Sequence, residues 1–466
     1  MFPGAVRLFF AALVLSGPLA LAQPSAARAG ATRAQVSATS LARLDAYLQG
    51  IYPADAPGGV VLVTRDGKTI FRKAYGLAHL ERGSRLTPDA VFRIASITKT
   101  MTAAAILQFV EKGQLSLEDE VTKHFPDYPT RGQRITLRHL LSHTSGLPDY
   151  ADLDLRGARN RPPQQLLALT QDLPLGFMPG TDYAYSNTGY VLLGLLIEKL
   201  SGLSYGEYME RQLFKPLGMR HTVYASRGLP GLVPGYRKKE GQYENVGELD
   251  ATLPYAAGAL LSTVDDLARW NAALDAGKVL SERSLREAFT RTPLRGGRTA
   301  SYGLGWGLLD EGPYAIQHHA GDFEGYTGIV YRVPARRLAV IVLSNNIDSE
   351  RHFFLAPKVA QLVLDEDWAP GAVALSPEAL AAYTGAYRGL DEAVYRVTRE
   401  AGKLVLQVAD GPKVALQAFS ATEFAYNPPR APPARVRFSG EGAAASLRFV
   451  PNVGADQLAS RVSEGR

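Results

Sequence analysis

Strand-forming runs at both ends of a long helical stretch constrain the fold of this chain more than any other feature. Gly58 to Thr64 and Thr69 to Tyr75 are predicted strands, and the Asp-Gly turn between them is typical of a hairpin. Three further strand patterns occur at Ala315 to His319, Thr327 to Val333 and Leu338 to Leu343. Residues 96 to about 300 lie between the two groups and show mostly helical patterns. This order predicts an α+β fold: one antiparallel sheet assembled from both ends and flanked by helices, with an all-helical subdomain inserted.

A second, smaller unit is predicted at the C-terminal end. Pro370-Gly371 and Ser376-Pro377 break residues 366–377, which we interpret as a linker. Short apolar runs separated by turn residues follow, at Val394 to Val397, Lys403 to Val408, Lys413 to Leu416, Val436 to Phe438 and Leu447 to Val450. Such spacing predicts a small β-barrel over residues 378–466, with a β-sandwich as the alternative.

The N-terminal residues have the pattern of an export signal. Residues 1–22 combine one basic residue, an apolar stretch, a Gly-Pro break and the small-residue end Ala20-Leu21-Ala22. This pattern predicts a secretory signal cleaved before Gln23, with a retained membrane anchor as the alternative. We therefore expect an exported protein, periplasmic or secreted, without a firm membrane anchor. A linker over 23–37 and a main domain over 38–365 follow.

Composition excludes several classes of protein. Of the 466 residues, 46% are hydrophobic, which supports an ample core, and none is a cysteine, which rules out a thiol nucleophile and cysteine metal sites. The net charge of +6 is spread along the chain, so nucleic acid is not an expected partner. Neither metal-ligand spacing nor a dinucleotide fingerprint occurs, and we expect no cofactor.

The most informative local motif is Ser96-Ile97-Thr98-Lys99, which begins an apolar helical run ending at Gly113. A serine at a helix start lies beside unpaired backbone N–H groups and the positive end of the helix dipole, which favour negative charge. Lys99 follows one turn later on the same face, where its amine can remove or share the serine proton. The pair is a candidate activated nucleophile for acyl transfer. A serine N-cap beside a solvated lysine is the alternative for this motif alone.

Two further motifs follow in the order that such a site needs, Tyr185-Ser186-Asn187 and His319-Ala320-Gly321. With them, roughly residues 40 to 365 resemble the serine β-lactamase and penicillin-binding-protein superfamily, in the branch that includes class C β-lactamases, D-aminopeptidases, DD-carboxypeptidases and related esterases. Supporting signatures occur at Phe92 to Ser96, Ile135 to Leu147, Pro179-Gly180, Pro216 to Met219, Ala257 to Leu260 and Asp266 to Ala268. Tyr383 to Tyr387 is similar to the opening of the lipocalin-like domain that follows some members.

The resemblance implies a role for each residue of the tyrosine motif. Tyr185, or Tyr185 with Lys99, would deprotonate Ser96, protonate the leaving group and later activate water. Because a free phenol has a pKa of about 10, a nearby cation would have to favour its phenolate. Asn187 would bind the substrate carbonyl and help to orient Lys99, with capping of the next helix as its alternative. Tyr243-Glu244-Asn245 has the same spacing, but we favour Tyr185 because a Pro-Gly turn precedes it and an apolar helix follows.

His319 occupies the position at which β-lactamases usually carry the lysine of a Lys-Thr-Gly motif. By the same resemblance, Gly321 would let substrate backbone approach the strand, and the backbone N–H groups of Ser96 and Asp322 would form the oxyanion hole. A histidine with an ordinary pKa near 6.5 is mostly neutral at pH 7 and supplies no permanent cation for a β-lactam carboxylate. We therefore expect weak turnover of β-lactams. A structural core histidine is the alternative for His319.

Two other motifs carry no predicted chemistry. His143-Thr144-Ser145 with Asp149 contains the residue types of a Ser-His-Asp triad, but residues so close along the chain rarely converge in that way. We interpret this segment as a structural turn of the family. Gly67-Lys68-Thr69 lacks the upstream glycine of a phosphate-binding loop and is interpreted as part of the hairpin.

The sequence thus predicts a serine hydrolase that cleaves amide or ester bonds through an acyl-enzyme on Ser96. Its expected partner is a small-molecule or peptide substrate, such as a D-amino-acid amide, a small ester or a cell-wall-derived peptide. Two alternatives stay open. The first is a penicillin-binding sensor that acylates with little turnover, and the second is a catalytically silent scaffold.

Overall fold

The computed structural model describes residues 36–153, 162–247, 253–347, 352–368, 373–390, 392–427, 434–440, 446–451 and 454–462. The predicted export signal lies outside these residues, as does the linker that follows it up to residue 35. Within them, no helix is both long enough and apolar enough to cross a bilayer.

Helices and strands occur in groups along the described chain. The helices are α1 (Ala38–Ile51), α2 (Thr98–Glu111), α3 (Val121–His124), α4 (Leu137–Leu141), α5 (Pro163–Ala168), α6 (Asn187–Ser201), α7 (Tyr205–Met209), α8 (Tyr255–Gly258), α9 (Val264–Asp275), α10 (Glu282–Ala288), α11 (His352–Leu364) and α12 (Pro377–Ala381). The strands are β1 (Gly59–Arg65), β2 (Lys68–Tyr75), β3 (Leu77–His79), β4 (Ser84–Arg85), β5 (Phe92–Arg93), β6 (Val223–Tyr224), β7 (Tyr236–Lys239), β8 (Gln242–Asn245), β9 (Leu260–Ser262), β10 (Gly307–Glu311), β11 (Tyr314–Phe323), β12 (Tyr326–Val333), β13 (Leu338–Ser344), β14 (Gly385–Gly389), β15 (Val394–Glu400), β16 (Lys403–Val408), β17 (Val414–Ala418), β18 (Glu423–Tyr426), β19 (Ala434–Ser439), β20 (Ser446–Pro451) and β21 (Gln457–Val462).

A six-stranded antiparallel sheet forms the centre of the main domain, in the order β10-β11-β12-β13-β1-β2. The first strand of the chain pairs with the last strand of the domain, so that Gly59 lies opposite Ser344. Asp66 and Gly67 connect β1 and β2 with φ of 52° and 73°, as the mirror-image turn of a tight hairpin requires. The prediction of an antiparallel sheet assembled from both ends is confirmed.

Both faces of this sheet are covered, which explains why its central strands are almost uniformly apolar. Val60 and Leu62 of β1 pack into the core that the sheet shares with the helical part. Val61 and Val63 of the same strand face the other side, where α1 and α11 contribute to a second core. Alternate side chains therefore serve two cores, as the two-residue repeat of a strand dictates.

Helix α2 runs through the middle of the helical part and packs against α6 and α8. Its side chains from Thr98 to Leu107 are all buried. Burial on every face fixes the start of α2, where Ser96 and Lys99 lie. The inserted part also contains a small β5-β9-β6 sheet and the β7-β8 hairpin, which the sequence patterns did not predict.

Strands β14 to β21 close into an eight-stranded barrel, so the predicted C-terminal β-barrel is confirmed. Side chains fill its interior, among them Tyr387, Phe424, Val436 and Phe438. Three of its strands lacked a clear sequence signal. Strand β14 contains two glycines and an arginine in five residues, β18 has only four residues, and β21 mixes polar and small residues with apolar ones.

Candidate active site

Ser96 lies in a single 3₁₀ turn, Ala95–Ile97, that leads directly into α2. Ala95 has φ of 43°, in the left-handed region that residues with a side chain rarely adopt. Such strain persists only where the surrounding structure fixes the backbone, and it concentrates at functional sites. The turn places Ser96 at the N-terminal end of α2, where unpaired N–H groups and the helix dipole favour negative charge.

Lys99 is fully buried and its amine contacts three oxygen atoms. Its Nζ lies 3.1 Å from Ser96 Oγ, 2.7 Å from Asn187 Oδ1 and 2.8 Å from Ala257 O. Burial lowers the pKa of Lys99 to about 7, and the negative charge of Asp149 opposes this shift. Near neutral pH the amine is therefore present in both its charged and its neutral form.

Asp149 accepts hydrogen bonds from Asn187, and no sequence motif predicted this contact. Asp149 Oδ2 accepts hydrogen bonds from Asn187 Nδ2 at 2.8 Å and from the Asn187 backbone N–H at 3.0 Å. This fixes the orientation of the amide, with Nδ2 toward Asp149 and Oδ1 toward Lys99. The capping of α6 falls to Ser186, whose Oγ accepts from Gly189 N at 3.4 Å, and not to the Asn187 side chain.

Tyr185 contacts Ser96 from the loop before α6. A hydrogen bond joins the two side chains. Lys99 Nζ lies 4.6 Å from the centre of the Tyr185 ring. Tyr185 is 37% exposed, yet desolvation raises its pKa well above that of a free phenol, and the hydrogen bond to Ser96 offsets only part of the rise. The phenol is therefore protonated in the free site, and the role of Lys99 in favouring a phenolate stays a prediction.

The segment after α4 supports the loop that carries Tyr185. His143 Nδ1 accepts a hydrogen bond from Ser186 N at 3.1 Å, and His143 O accepts one from Ala184 N at 3.0 Å. The His143 ring lies 4.2 Å, centre to centre, from the Tyr185 ring. His143 and Asp149 thus contact different parts of the Tyr185 to Asn187 loop and do not form a Ser-His-Asp triad.

His319 on β11 is buried and uncharged. Its Nδ1 donates to Ala320 O at 2.7 Å, which leaves Nε2 to accept a hydrogen bond from Tyr302 Oη at 2.7 Å. Burial and the neighbouring Lys99 lower the pKa of His319 to about 3. Tyr302 is a site residue that sequence reasoning missed, because only the fold brings it to His319.

Gly321 allows close packing within the protein. A Cβ at this position would lie 2.3 Å from Ile94 O and 3.0 Å from Ser96 N. The missing side chain lets β11 approach the turn that carries Ser96, whereas the sequence suggested room for substrate backbone. Asp322 follows on the same strand, and its Oδ1 accepts a hydrogen bond from Thr327 Oγ1 at 2.6 Å.

These groups surround a cavity of about 360 Å³. Its wall consists of Ser96, Tyr183, Tyr185, Asn187, Ser301, Tyr302, Gly307, His318, His319, Ala320 and Asp322. Within the described part of the chain, the wall contains one acid, Asp322, and neither lysine nor arginine. The Lys99 amine is buried next to Ser96 and is not itself part of the wall. Tyr243, the rival of Tyr185, is on β8 and is not part of this wall. Among the described residues, no group of three histidine or acidic side chains is placed to hold a metal ion.

The fold, together with the known proteins that share it, identifies the chain as a serine hydrolase of the β-lactamase fold. The profile of the Beta-lactamase family matches residues 44–364, and the chain belongs to this family. "Penicillin-binding protein 4*" of Bacillus subtilis (strain 168) is 32% identical to it over 419 residues, which is 84% of this chain and 92% of that protein.

Solved structures extend the similarity. An octameric penicillin-binding protein homologue from Pyrococcus abyssi matches with a TM-score of 0.62 at 25% identity, over 90% of this chain and 99% of that one. The D-amino acid amidase of Ochrobactrum anthropi SV3, complexed with L-phenylalanine amide, matches with a TM-score of 0.61 at 25% identity. That match covers 69% of this chain and 98% of the amidase.

We predict that Asp149→Asn lowers the pKa of Lys99. The Asp149 charge supports the protonated amine, so its removal should move the Lys99 titration from about 7 downward, by roughly 0.5–1 unit. The measurement is NMR of ¹³Cε-labelled lysine, with the Lys99 signal assigned by its loss in Lys99→Met. Asp152→Asn changes an exposed carboxylate nearby and should leave the titration unchanged. A Lys99 midpoint near 10, or identical midpoints in all variants, would contradict the prediction.

Proposed function

We propose that this protein cleaves amide or ester bonds through an acyl-enzyme on Ser96. The observation that carries the proposal is the buried Lys99 amine, 3.1 Å from Ser96 Oγ. A neutral amine has two N–H groups and one lone pair. Because the carbonyl oxygens of Asn187 and Ala257 can only accept, they take both N–H groups and leave the lone pair for the Ser96 hydroxyl. Neutral Lys99 is therefore the group that receives the Ser96 proton during attack.

Tyr185 completes the proton transfers in this proposal. Its raised pKa keeps the phenol protonated in the free site, within hydrogen-bond reach of Ser96. When the acyl–heteroatom bond breaks, Tyr185 gives its proton to the leaving group and regains one from the Lys99 ammonium. Water then attacks the acyl-enzyme with the same groups in reverse order. The protons balance, and the site returns to its starting state.

Backbone dipoles rather than side-chain cations would stabilise the oxyanion. The close approach of β11 at Gly321 brings this strand next to Ser96 N. We propose the N–H groups of Ser96 and Asp322 as the two donors. In a cavity enclosed by aromatic rings, such fixed donors act at low dielectric and need little reorganisation.

The charges around the cavity favour neutral or cationic substrates. Of the residues that the structure describes, the wall contains Asp322 and neither lysine nor arginine, and the low pKa of His319 keeps this ring uncharged. A neighbouring structure of this fold is a D-amino acid amidase. We propose small esters and D-amino-acid amides or peptides as substrates. We also propose export to the periplasm or the exterior, supported by the sequence pattern of residues 1–22.

Ser96→Ala should abolish covalent labelling by a fluorophosphonate, measured by intact-protein mass spectrometry. Tyr185→Phe should slow hydrolysis of a D-amino-acid amide by about 100-fold or more, because it removes the group that protonates the leaving amine. Tyr243→Phe removes the matching hydroxyl from the rival motif and should change the rate less than twofold. An adduct on another residue would overturn the assignment of Ser96. A long-lived substrate adduct without turnover would instead identify a penicillin-binding sensor.

The rate of acylation should rise with pH and level off above about pH 7. Burial lowers the pKa of Lys99 to about 7, and only the neutral form, which predominates above that pH, can accept the Ser96 proton. Below it, the rate should fall about tenfold per pH unit. Pre-steady-state release of p-nitrophenol from p-nitrophenyl acetate between pH 5 and 9 measures this. A midpoint near 10 would show that Lys99 reacts as an ordinary lysine.

Benzylpenicillin should be a poor substrate. Its carboxylate would meet no cation among the described wall residues and would share the cavity with Asp322. We therefore expect its kcat/KM to be about 100-fold below that of p-nitrophenyl acetate or a D-amino-acid amide, equivalent to about 2.7 kcal/mol. Amide and methyl ester derivatives of the same penicillin lack the charge and serve as matched controls. Efficient hydrolysis of the free acid would contradict the electrostatic argument.

A further inference from the structure

The barrel contacts the main domain beside the cavity through Gly454–Asp456, which we call the docking segment. Ala455 forms an isolated antiparallel bridge with Ala300 of the main domain. Two backbone hydrogen bonds flank this bridge, from Ser301 N to Gly454 O at 2.7 Å and from Asp456 N to Thr299 O at 2.9 Å. The barrel therefore pairs as a short strand with the segment that leads into the cavity wall.

Asp456 is the central residue of this contact and is 1% exposed. Its Oδ1 accepts a hydrogen bond from Thr299 N at 2.5 Å, and its Oδ2 pairs with Arg448 Nη1 at 2.5 Å. Its backbone oxygen accepts from Arg298 Nε at 2.8 Å. A buried carboxylate with all of these partners holds both chain segments in one arrangement, and its truncation leaves buried donors without partners.

The segment that Asp456 holds continues into the cavity wall. Ser301 and Tyr302 both line the cavity. Ser301 Oγ donates to Pro451 O of the barrel at 2.8 Å. Tyr302 Oη donates to His319 Nε2 at 2.7 Å. The backbone that contacts the barrel therefore carries Tyr302, whose ring lines the same cavity as Ser96.

A second connection reaches the neighbouring wall residue Tyr183. Arg298, which donates to the backbone of Asp456, also pairs with Asp182 Oδ1 at 2.8 Å. The Tyr183 ring packs against the small apolar cluster of Leu294, Ala300 and Ala455. Barrel residues therefore support the cavity wall through both Tyr302 and Tyr183.

We propose that the docking segment of the barrel determines the shape of the substrate cavity, with Asp456 as a positioning residue for Ser301 and Tyr302. This inference rests on the proposed hydrolase function. Substrates with a large aromatic acyl group reach the Tyr183 and Tyr302 side of the cavity, so their binding depends on the docking segment. A small acetyl ester needs only Ser96 and its immediate neighbours. The barrel is in this view a specificity element and not an independent module.

Another contact of the same barrel provides a matched control. Arg435 Nη2 donates to Gly312 O at 2.9 Å, at the turn between β10 and β11. Neither residue belongs to the cavity wall. Arg435→Ala therefore weakens the attachment of the barrel without touching the docking segment. If the barrel only stabilised the main domain, Arg435→Ala and Asp456→Ala would have equivalent effects.

The test compares the full-length Asp456→Ala, Asp456→Asn and Arg435→Ala proteins on p-nitrophenyl acetate and p-nitrophenyl phenylacetate, with thermal unfolding as the check of folding. Asp456→Ala should raise KM for the aromatic ester at least fivefold and leave kcat/KM for the acetate within twofold. Asp456→Asn keeps an acceptor for Thr299 N and should recover part of the loss. Arg435→Ala should leave both substrates unchanged. Equal losses on both esters, or no change in Asp456→Ala, would overturn the proposal.

A measurement independent of turnover separates this proposal from the proposed function. Ring ¹⁵N NMR signals of His319 report its hydrogen bond to Tyr302. Asp456→Ala should shift these signals and Arg435→Ala should not, whether or not any ester is hydrolysed. Failure of Ser96 labelling would then refute the hydrolase function alone, whereas an unshifted His319 would refute the role of the docking segment.

An engineered disulfide tests whether the protein is active while the docking segment is paired with the main domain. The chain has no cysteine, and the bridged pair Ala300 and Ala455 is not directly hydrogen bonded, a geometry that brings Cα atoms to about 4.5 Å. The double variant Ala300→Cys, Ala455→Cys should form a disulfide and keep its activity on the aromatic ester. Loss of that activity on oxidation, restored by dithiothreitol, would overturn the proposal, as would failure of the disulfide to form.

Discussion

The burial of the Lys99 amine is the interaction on which the site depends. Removing an ammonium group from water costs several kcal/mol unless hydrogen bonds compensate or the group loses its proton. Here both occur, since three oxygen atoms surround Nζ and burial lowers the pKa of Lys99 to about 7. Two helices supply oxygen atoms to this amine: α6 begins with Asn187, and α8 contains Ala257.

Neighbouring residues hold the groups of the candidate site in place. Asp149 fixes the orientation of the Asn187 amide, and His143 supports the loop that carries Tyr185. Gly321 lets β11 pack against the 3₁₀ turn of Ser96, so the nucleophile and the strand opposite it cannot separate without breaking core contacts. Preorganisation of this kind is what electrostatic catalysis requires, because groups that are already in position cost no reorganisation during reaction.

Sequence patterns predicted those parts of the candidate site whose residues lie close together on one helix or one strand. Ser96 and Lys99 share one helical turn, and His319, Gly321 and Asp322 share one strand, so their neighbourhood follows from local geometry. The contacts of Asp149, Tyr302 and Asp456 join segments far apart in the chain, and no local period marks them.

The protonation states were also beyond sequence reasoning, because the burial that lowers the pKa of Lys99 and raises that of Tyr185 is a property of the packed core. Apolar runs predicted five of the six strands of the main sheet and five of the eight barrel strands. The missed strands, such as β10 and β14, are short or interrupt their apolar residues with glycine and charged residues.

Two parts of the chain, the main domain and the C-terminal barrel, contribute to the cavity. The main domain supplies the reacting groups, which sit among elements buried on several faces. The barrel contacts the wall around Ser301 and Tyr302, which belongs to an irregular segment without a core of its own. An irregular segment needs external partners to hold one conformation, and the antiparallel bridge of Ala300 with Ala455 supplies them. Under the proposed function, chemistry and selectivity therefore rest on different parts of the chain, so changes in the docking segment would alter which substrates enter while Ser96, Lys99 and Tyr185 keep their geometry.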